Sequence, residues 1–474
     1  MVDSNTAAPK RAMKFPHVFS FLFSTVLVVL ILTWVIPAGQ FEREVKVVAG
    51  IKQSQVVAGT YHQVEPAPQA VWKIFSALDT GFTQSGGMIF MVFFCGAAIY
   101  ILEKTGTVRV SFQRILKKVR GREHVAVFVV MLFMSIGGAT GAFANTALAL
   151  VPLGILFARA LGFDNAVGFC LVYLGSYAGF NVGWGNLFTI GIAQDIAELE
   201  KFSGFYVRIL FHVVNLLLTY WWVSRYIVRI KKDPLSSLLY EEGVNPSDLY
   251  GSEESFDEYE PFTWRHKACI AIAALGLGSI IVGSLQWNWG IPLYSATFLA
   301  MAIFTGLLGG LGVDGTCKEF IKGSATMVAG AFVIGISRAI AVIMTDGKII
   351  DSIVYYLSQP IASYGPVLGA NIMFYVNLLL NFFIPSGSGQ AVAVMPLMVP
   401  IADLAQITRQ VAVQAFQFGD GLSNCVIPTS GVLLSALSLA NVPYARYLKW
   451  FAPLFVIQVI LASAAITVLQ YIGW

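Results

Sequence analysis

Charge is what this sequence has least of. Asp, Glu, Lys and Arg make up 12% of its 474 residues, about half the share of a soluble domain. Hydrophobic residues make up 57%, and the mean hydropathy is +0.73. A soluble core does not call for so little charge, so most of the chain is solvated by lipid. Cysteine is scarce as well. Cys95, Cys170, Cys269, Cys317 and Cys425 contain no CxxC pair, so neither a disulfide framework nor a zinc site is indicated. The five histidines are dispersed and show no metal-ligand spacing. There is no Walker-type phosphate loop, which argues against ATP drive, and no serine has a histidine partner in a catalytic motif. An enzyme is not expected, nor is a cofactor. The net charge of +4 comes from lysines and arginines beside apolar runs and does not point to nucleic acid.

What the chain has is apolar runs long enough, at about 20 residues, to cross a ~30 Å hydrocarbon core. The first, 18–36, lacks a small-residue cleavage site and reads as a retained helix. Lys10, Arg11 and Lys14 precede it and place the N-terminus in the cytoplasm. A second span, 86–102, returns from an outer segment at 40–70 to a basic loop holding Lys104, Arg109, Arg114, Lys117, Lys118, Arg120 and Arg122. Arg225, Arg229, Lys231 and Lys232 end a span at 205–230 on that same side, and Arg446 and Lys449 mark the last cytoplasmic turn. The final helix, 451–472, leaves the C-terminus outside. The expected location is the inner (cytoplasmic) membrane, with many crossings.

Two segments repeat. Ala147-Leu148-Ala149-Leu150-Val151-Pro152-Leu153 recurs as Ala391-Val392-Ala393-Val394-Met395-Pro396-Leu397. The offset, 396 − 152 = 244, also relates Gly175 to Gly419. A Gly-rich break precedes each copy, Gly137-Gly138-Ala139-Thr140-Gly141 and Pro385-Ser386-Gly387-Ser388-Gly389. A second polar break follows each, Asn181-Val182-Gly183-Trp184-Gly185-Asn186 and Asn424-Cys425-Val426-Ile427-Pro428-Thr429-Ser430. The pattern predicts an all-α polytopic membrane protein built as an inverted repeat, with two re-entrant hairpins (124–161, 367–401) and two split helices (166–197, 410–438). The organisation reads as 1–70, a first repeat over 71–230, an acidic cytoplasmic linker over 231–263, two further helices over 264–312 and a second repeat over 313–474. A weaker match, needing a gap of three residues, aligns the stretch from Phe75 to Gly106 with that from Phe320 to Gly347.

Paired, interrupted hydrophobic segments in corresponding places mark the binding site of a secondary transporter. Unpaired backbone groups cost several kcal/mol in hydrocarbon, so broken helices persist at membrane depth only where protein or an aqueous cavity satisfies them. The expected substrate-binding residues are Asn145, Thr146, Asn186, Ser386, Ser388, Gln390, Asn424, Thr429, Ser430 and Arg338. Asp420, Asn145, Asn181 and Gly387 are expected to serve the coupling ion. Asp420 and Arg338 stand out because a charge at mid-membrane costs at least ~2.5–3.5 kcal/mol. His212 and Asn215 read as packing residues. A channel is the rival from another class; it would favour rings of polar side chains along one pore.

Pro385-Ser386-Gly387-Ser388-Gly389-Gln390-Ala391, Arg409-Gln410-Val411 and Gln417-Phe418-Gly419-Asp420-Gly421 through Pro428-Thr429-Ser430 resemble the YfcC family of basic amino acid antiporters, which is grouped with the anaerobic C4-dicarboxylate carriers. The resemblance covers nearly the whole chain. It implies a homodimer, a static scaffold that includes 264–312, a mobile transport domain moving as an elevator, and sodium or a proton as the coupling ion. In distant sodium-coupled carboxylate carriers a Ser-Asn-Thr tip meets sodium and substrate. Ala144-Asn145-Thr146 matches two of those three positions, and Ser386-Gly387-Ser388 matches only loosely. The YfcC pattern carries two adjacent glutamates at the first tip, where this chain reads Phe143-Ala144-Asn145-Thr146. That neutral tip, together with Arg338, shifts the expectation from arginine or ornithine antiport toward an amino acid or small carboxylate without an obligatory positive side chain.

Overall fold

The computed structural model describes residues 18–474 apart from 49–50, 109, 112–113, 115–121, 144–146, 241–260 and 288. The described residues are almost entirely helical. Seven helices among them are long and apolar enough to cross a membrane.

The first half runs α1 (Val18–Val35), α2 (Lys73–Gln84), α3 (Gly86–Lys104), α4 (Glu123–Ala139) and α5 (Ala147–Ala160). It continues with α6 (Asn165–Phe180), then α7 (Leu187–Gly191 running into Ile192–Ile196) and α8 (Phe205–Lys232). The middle of α6, Cys170–Leu174, is π-helical, as is the start of α7. The second half runs α9 (Trp264–Trp287), α10 (Ile291–Leu308), α11 (Gly312–Ala325), α12 (Val328–Asp346) and α13 (Ile350–Ser358). It ends with α14 (Pro366–Phe383), α15 (Gly387–Leu404), α16 (Arg409–Ser423), α17 (Gly431–Leu439) and α18 (Tyr444–Tyr471).

The halves interlock reciprocally. Helix α2 packs on α12 while α11 packs on α3; α4 packs on α6 while α14 packs on α16; α15 meets α7 while α5 meets α17. Small residues permit this closeness. A Cβ on Gly138 would lie 1.9 Å from the Ser176 main-chain oxygen, and one on Gly419 would lie 2.6 Å from the Asn377 Cβ. Capping repeats too. Asp164 accepts from Val167 N at 3.0 Å, and Thr408 from Val411 N at 3.2 Å, again an offset of 408 − 164 = 244. The last long helix of each half returns to that cap: Tyr226 on α8 donates to Asp164 at 2.6 Å, and Gln470 on α18 accepts from Thr408 N at 3.1 Å.

The structure departs from the sequence expectations in three places. In a chain expected to be all-α, the outer segment holds two short antiparallel pairs, β1 (Gly39–Gln40) with β4 (His62–Gln63) and β2 (Arg43–Val48) with β3 (Ile51–Val56). The alternation in Arg43-Glu44-Val45-Lys46-Val47-Val48 is a strand signal of period two, favoured by β-branched valines. The expected solvated linker begins packed: Ser237 donates to the buried Asp164 at 2.7 Å, and Arg446 donates to the Leu238 and Tyr240 carbonyls. Most of that acidic stretch, 241–260, lies outside the described residues. Finally, α2 and α11 are amphipathic helices that hydropathy alone does not single out.

Candidate functional site

The two polar breaks of the split helices meet across the repeat. Tyr173 on α6 donates through its hydroxyl to the Asn424 main-chain oxygen at 3.0 Å. Gln417 on α16 donates through Nε2 to the Phe180 main-chain oxygen at 2.6 Å. Both pairs obey one offset, 417 − 173 = 244 and 424 − 180 = 244. Each first half-helix thus caps the freed C-terminal carbonyl of the other, a group that would otherwise be left unpaired at depth. The approach is close enough that a Cβ on Gly421 would lie 2.4 Å from Asn181 Cα.

On one side of this crossing lies a cavity of about 1620 Å³. It opens toward the Gly39–Arg43 stretch and the Trp289-Gly290 turn, between α12 and α15. Its floor is made of the breaks. Gly141, Asn186, Phe188 and Thr189 come from the first half, and Ser386, Gly387, Ser388, Asn424, Thr429 and Ser430 from the second. Asn186 accepts from Phe188 N at 2.9 Å and Ser430 from Leu433 N at 3.3 Å, so these polar residues also start the second half-helices. Gly141, with φ +82°, has room for no side chain, since a Cβ would sit 2.6 Å from Asn186 Oδ1. The first residues of α15 and α17 both line the cavity, and such N-termini favour negative charge.

Arg338, near the middle of α12, is exposed to this cavity. Its Nε donates to Gln84 Oε1 at 2.9 Å. Among the described residues no carboxylate pairs with it, in contrast to the mouth of the cavity, where Arg43 meets Asp351 at 2.6 Å and Lys73 meets Asp346 at 2.8 Å.

Asp420 is buried behind the second hairpin tip. Its main-chain oxygen receives Asn381 Nδ2 at 2.9 Å, Ser423 Oγ at 3.1 Å and Asn424 Nδ2 at 2.8 Å. Its carboxylate receives no hydrogen bond, although the Asn424 amide comes near it. A Cβ on Gly387 would stand 3.0 Å from Asp420 Oδ2 and 2.5 Å from the Thr189 methyl, so Asp420 and Thr189 flank the tip.

The structure therefore gathers Asn186, Ser386, Ser388, Asn424, Thr429, Ser430 and Arg338 around one space. Gln390 is not among them. It points into the second hairpin and donates to the Asn377 main-chain oxygen at 3.0 Å and to Asn377 Oδ1 at 3.1 Å. Asn181 ends α6, buried, with its Oδ1 unpartnered. Asn145 and Thr146 lie outside the described residues. His212 accepts from Trp184 Nε1 at 2.8 Å and Asn215 donates to the Ala178 carbonyl at 2.8 Å, both packing contacts.

Sequence reasoning missed Gln84, Tyr173, Thr189, Asn377, Asn381 and Gln417, none of which belongs to a Gly-rich break. It also missed Arg208, a lone cation in an apolar run and therefore detectable. Arg208 is fully buried, donates to Gln414 Oε1 at 2.7 Å and lies 5.3 Å from the Trp474 ring, away from the cavity.

The family model of the C4-dicarboxylate anaerobic carriers, DcuC, matches residues 15–471. YfcC of Escherichia coli, whose name proposes a basic amino acid antiporter, is 28% identical over 98% of both chains. An uncharacterised protein of Haemophilus influenzae is 25% identical over 97% of both. Among solved structures, the YdaH transporter of Alcanivorax borkumensis has 15% identity and a TM-score of 0.40, covering 97% of this chain and 99% of its own. MtrF of Neisseria gonorrhoeae, from a class of antimetabolite efflux pumps, has the same identity and score over 97% and 96%.

Proposed function

The chain belongs to the DcuC family of C4-dicarboxylate anaerobic carriers, and on that footing we propose that this multi-pass transporter moves a small carboxylate or a zwitterionic amino acid by ion-coupled alternating access. The observation that carries the substrate class is Arg338, a guanidinium facing the cavity with no carboxylate partner among the described residues. Its planar fork suits a carboxylate, which it can hold in two parallel hydrogen bonds. The N-termini of α15 and α17 add partial positive charge to the same space. Asn186, Ser388 and Thr429 provide neutral groups for the rest of the ligand. Asp420, held in the second half, serves the coupling ion.

Reciprocal packing of α2 on α12 and α11 on α3 makes an interleaved frame suited to staying still. The hairpins and split helices, tied by the Tyr173 and Gln417 bonds, would move against it as one body in the manner of an elevator. With the positive-inside orientation, the cavity opens outward.

The test is binding and uptake with purified protein in liposomes. A charge-assisted hydrogen bond contributes about 1.5–3 kcal/mol, so Arg338→Gln is expected to weaken carboxylate affinity by roughly 10- to 150-fold while the protein still folds. If only cationic amino acids compete and Arg338→Gln binds normally, arginine or ornithine antiport replaces this reading. Flux that does not saturate would mean a channel.

A further inference from the structure

We propose that Asp420 is the charged ligand of a monovalent metal-cation site, sodium-like in its preference for oxygen, sealed from the substrate cavity by the Gly387 tip of the second hairpin. This rests on the reading of the chain as an ion-coupled carrier and specifies the ion and its gate.

Four observations converge. Both Asp420 carboxylate oxygens are buried without a hydrogen-bond partner, and no Lys or Arg among the described residues pairs with them. The residue lies in the last turn of α16, Arg409–Ser423, where the helix dipole is negative and a carboxylate is disfavoured unless a cation joins it. Three neutral oxygens nearby are likewise buried and unpartnered: Thr189 Oγ1, Asn181 Oδ1 and Asn381 Oδ1. They belong to residues touching Gly387, Gly421 and the Asp420 main-chain oxygen respectively.

The chemistry of this set selects the ligand. A proton on Asp420 would provide one O–H donor, enough for one of these acceptors. A metal cation draws on several oxygens at once, and the ends of interrupted half-helices are where transporters place such ions. One carboxylate among neutral oxygens balances a single positive charge. Nitrogen and sulfur ligands are absent from the set, which fits a hard ion.

The gate follows from Gly387. Thr189 and Gly387 are in the cavity wall whereas Asp420 is not, so the tip stands between cation and substrate. Asn424 spans the two spaces, facing the cavity while holding the Asp420 main-chain oxygen. Among the described residues the counterpart of Asp420 in the first half, Ser176, is satisfied: its hydroxyl donates to the Phe143 main-chain oxygen at 3.0 Å.

The experiment is thermal unfolding of the purified full chain, without substrate, titrated with NaCl, KCl or choline chloride at constant ionic strength. An ion that binds only the folded state raises the midpoint saturably. The expected result is a rise of a few degrees with NaCl and none with choline, abolished in Asp420→Asn. Thr189→Val is expected to shift the NaCl dependence at least about tenfold, the equivalent of ~1.4 kcal/mol, and Gly387→Ala to do the same through its methyl. Should Asp420→Asn fail to fold, these two variants decide. The proposal is overturned by equal shifts in all three salts, by a shift that survives in Asp420→Asn, or by a midpoint that follows pH and ignores NaCl. A sodium shift without any carboxylate binding leaves this site standing and removes the substrate reading; carboxylate binding without a sodium shift does the reverse.

Discussion

Ser176 and Asp420 occupy the same place in the two halves, 420 − 176 = 244, each on a first half-helix and facing its own hairpin tip. Ser176 donates to the Phe143 main-chain oxygen at 3.0 Å and makes a finished contact. Asp420 faces Gly387 with both carboxylate oxygens unpartnered. The backbone plan is shared to the level of single hydrogen bonds, as Tyr173 and Gln417 show. What differs is whether the buried polar group is satisfied. A satisfied group rigidifies, whereas an orphaned one in a low dielectric is unfavourable until something joins it. At this position the first half is closed by its own hydrogen bond, whereas the second half holds an open carboxylate.

The comparison can be broken most severely by exchanging the residues. Ser176→Asp would set a carboxylate against the Phe143 carbonyl, with Gly138 too near to yield. An uncompensated buried charge costs about 3–5 kcal/mol. The variant is expected to fold poorly, seen as a large drop in unfolding midpoint, while Asp420→Ser, which makes the second half like the first, keeps a wild-type midpoint in the absence of sodium. Equal destabilisation in the two would mean that the halves do not differ in this way.

Asp420→Asn tests the working half directly. If one charge moves with the substrate, a potential of 100 mV supplies about 2.3 kcal/mol, which is roughly a 50-fold accumulation at about 1.4 kcal/mol per tenfold. Liposomes holding the variant are expected to equilibrate substrate without concentrating it. Wild-type accumulation would take Asp420 out of the coupling.

Tyr173→Phe and Gln417→Leu probe what the halves share. Each removes the donor to a buried main-chain oxygen, of Asn424 or Phe180, and an unsatisfied group of this kind costs about 1–3 kcal/mol. Similar losses in unfolding midpoint are expected, because the two bonds are equivalent by repeat. A loss confined to one would show that the crossing is not reciprocal.

Much of this was legible in the sequence. The offset was visible at Pro152 and Pro396 and at Gly175 and Gly419, where small or helix-breaking residues recur because the backbone needs them. The helix breaks were placed to within a few residues for the same reason. The crossing bonds were not legible, since Tyr173 and Gln417 do one job with unlike side chains and leave no identity to detect. Nor was Thr189, whose meaning depends on Gly387 lying beside it across 387 − 189 = 198 residues. Gln390 follows a Gly-rich break as a ligand would, yet its amide nitrogen is taken up by Asn377, a contact that its sequence position does not announce. The strands at 43–56 were not singled out within the outer segment, although the alternation Glu44-Val45-Lys46-Val47 was present.

The mildest test concerns the caps of the second half-helices. Asn186 and Ser430 correspond, 430 − 186 = 244, and each accepts a main-chain N–H from the second or third residue of its helix, at 2.9 Å and 3.3 Å. Replacing a capping side chain by alanine costs about 1 kcal/mol, so Asn186→Ala and Ser430→Ala are each expected to lower the unfolding midpoint slightly. Their effects on function should separate. Asn186 is the group that Gly141 touches, so its loss loosens the first tip; Ser430 begins α17, which packs on α12 beside Arg338. Substrate affinity is therefore expected to fall more in Ser430→Ala than in Asn186→Ala, at nearly equal stability. The reverse order would move the substrate contacts into the first half and away from Arg338.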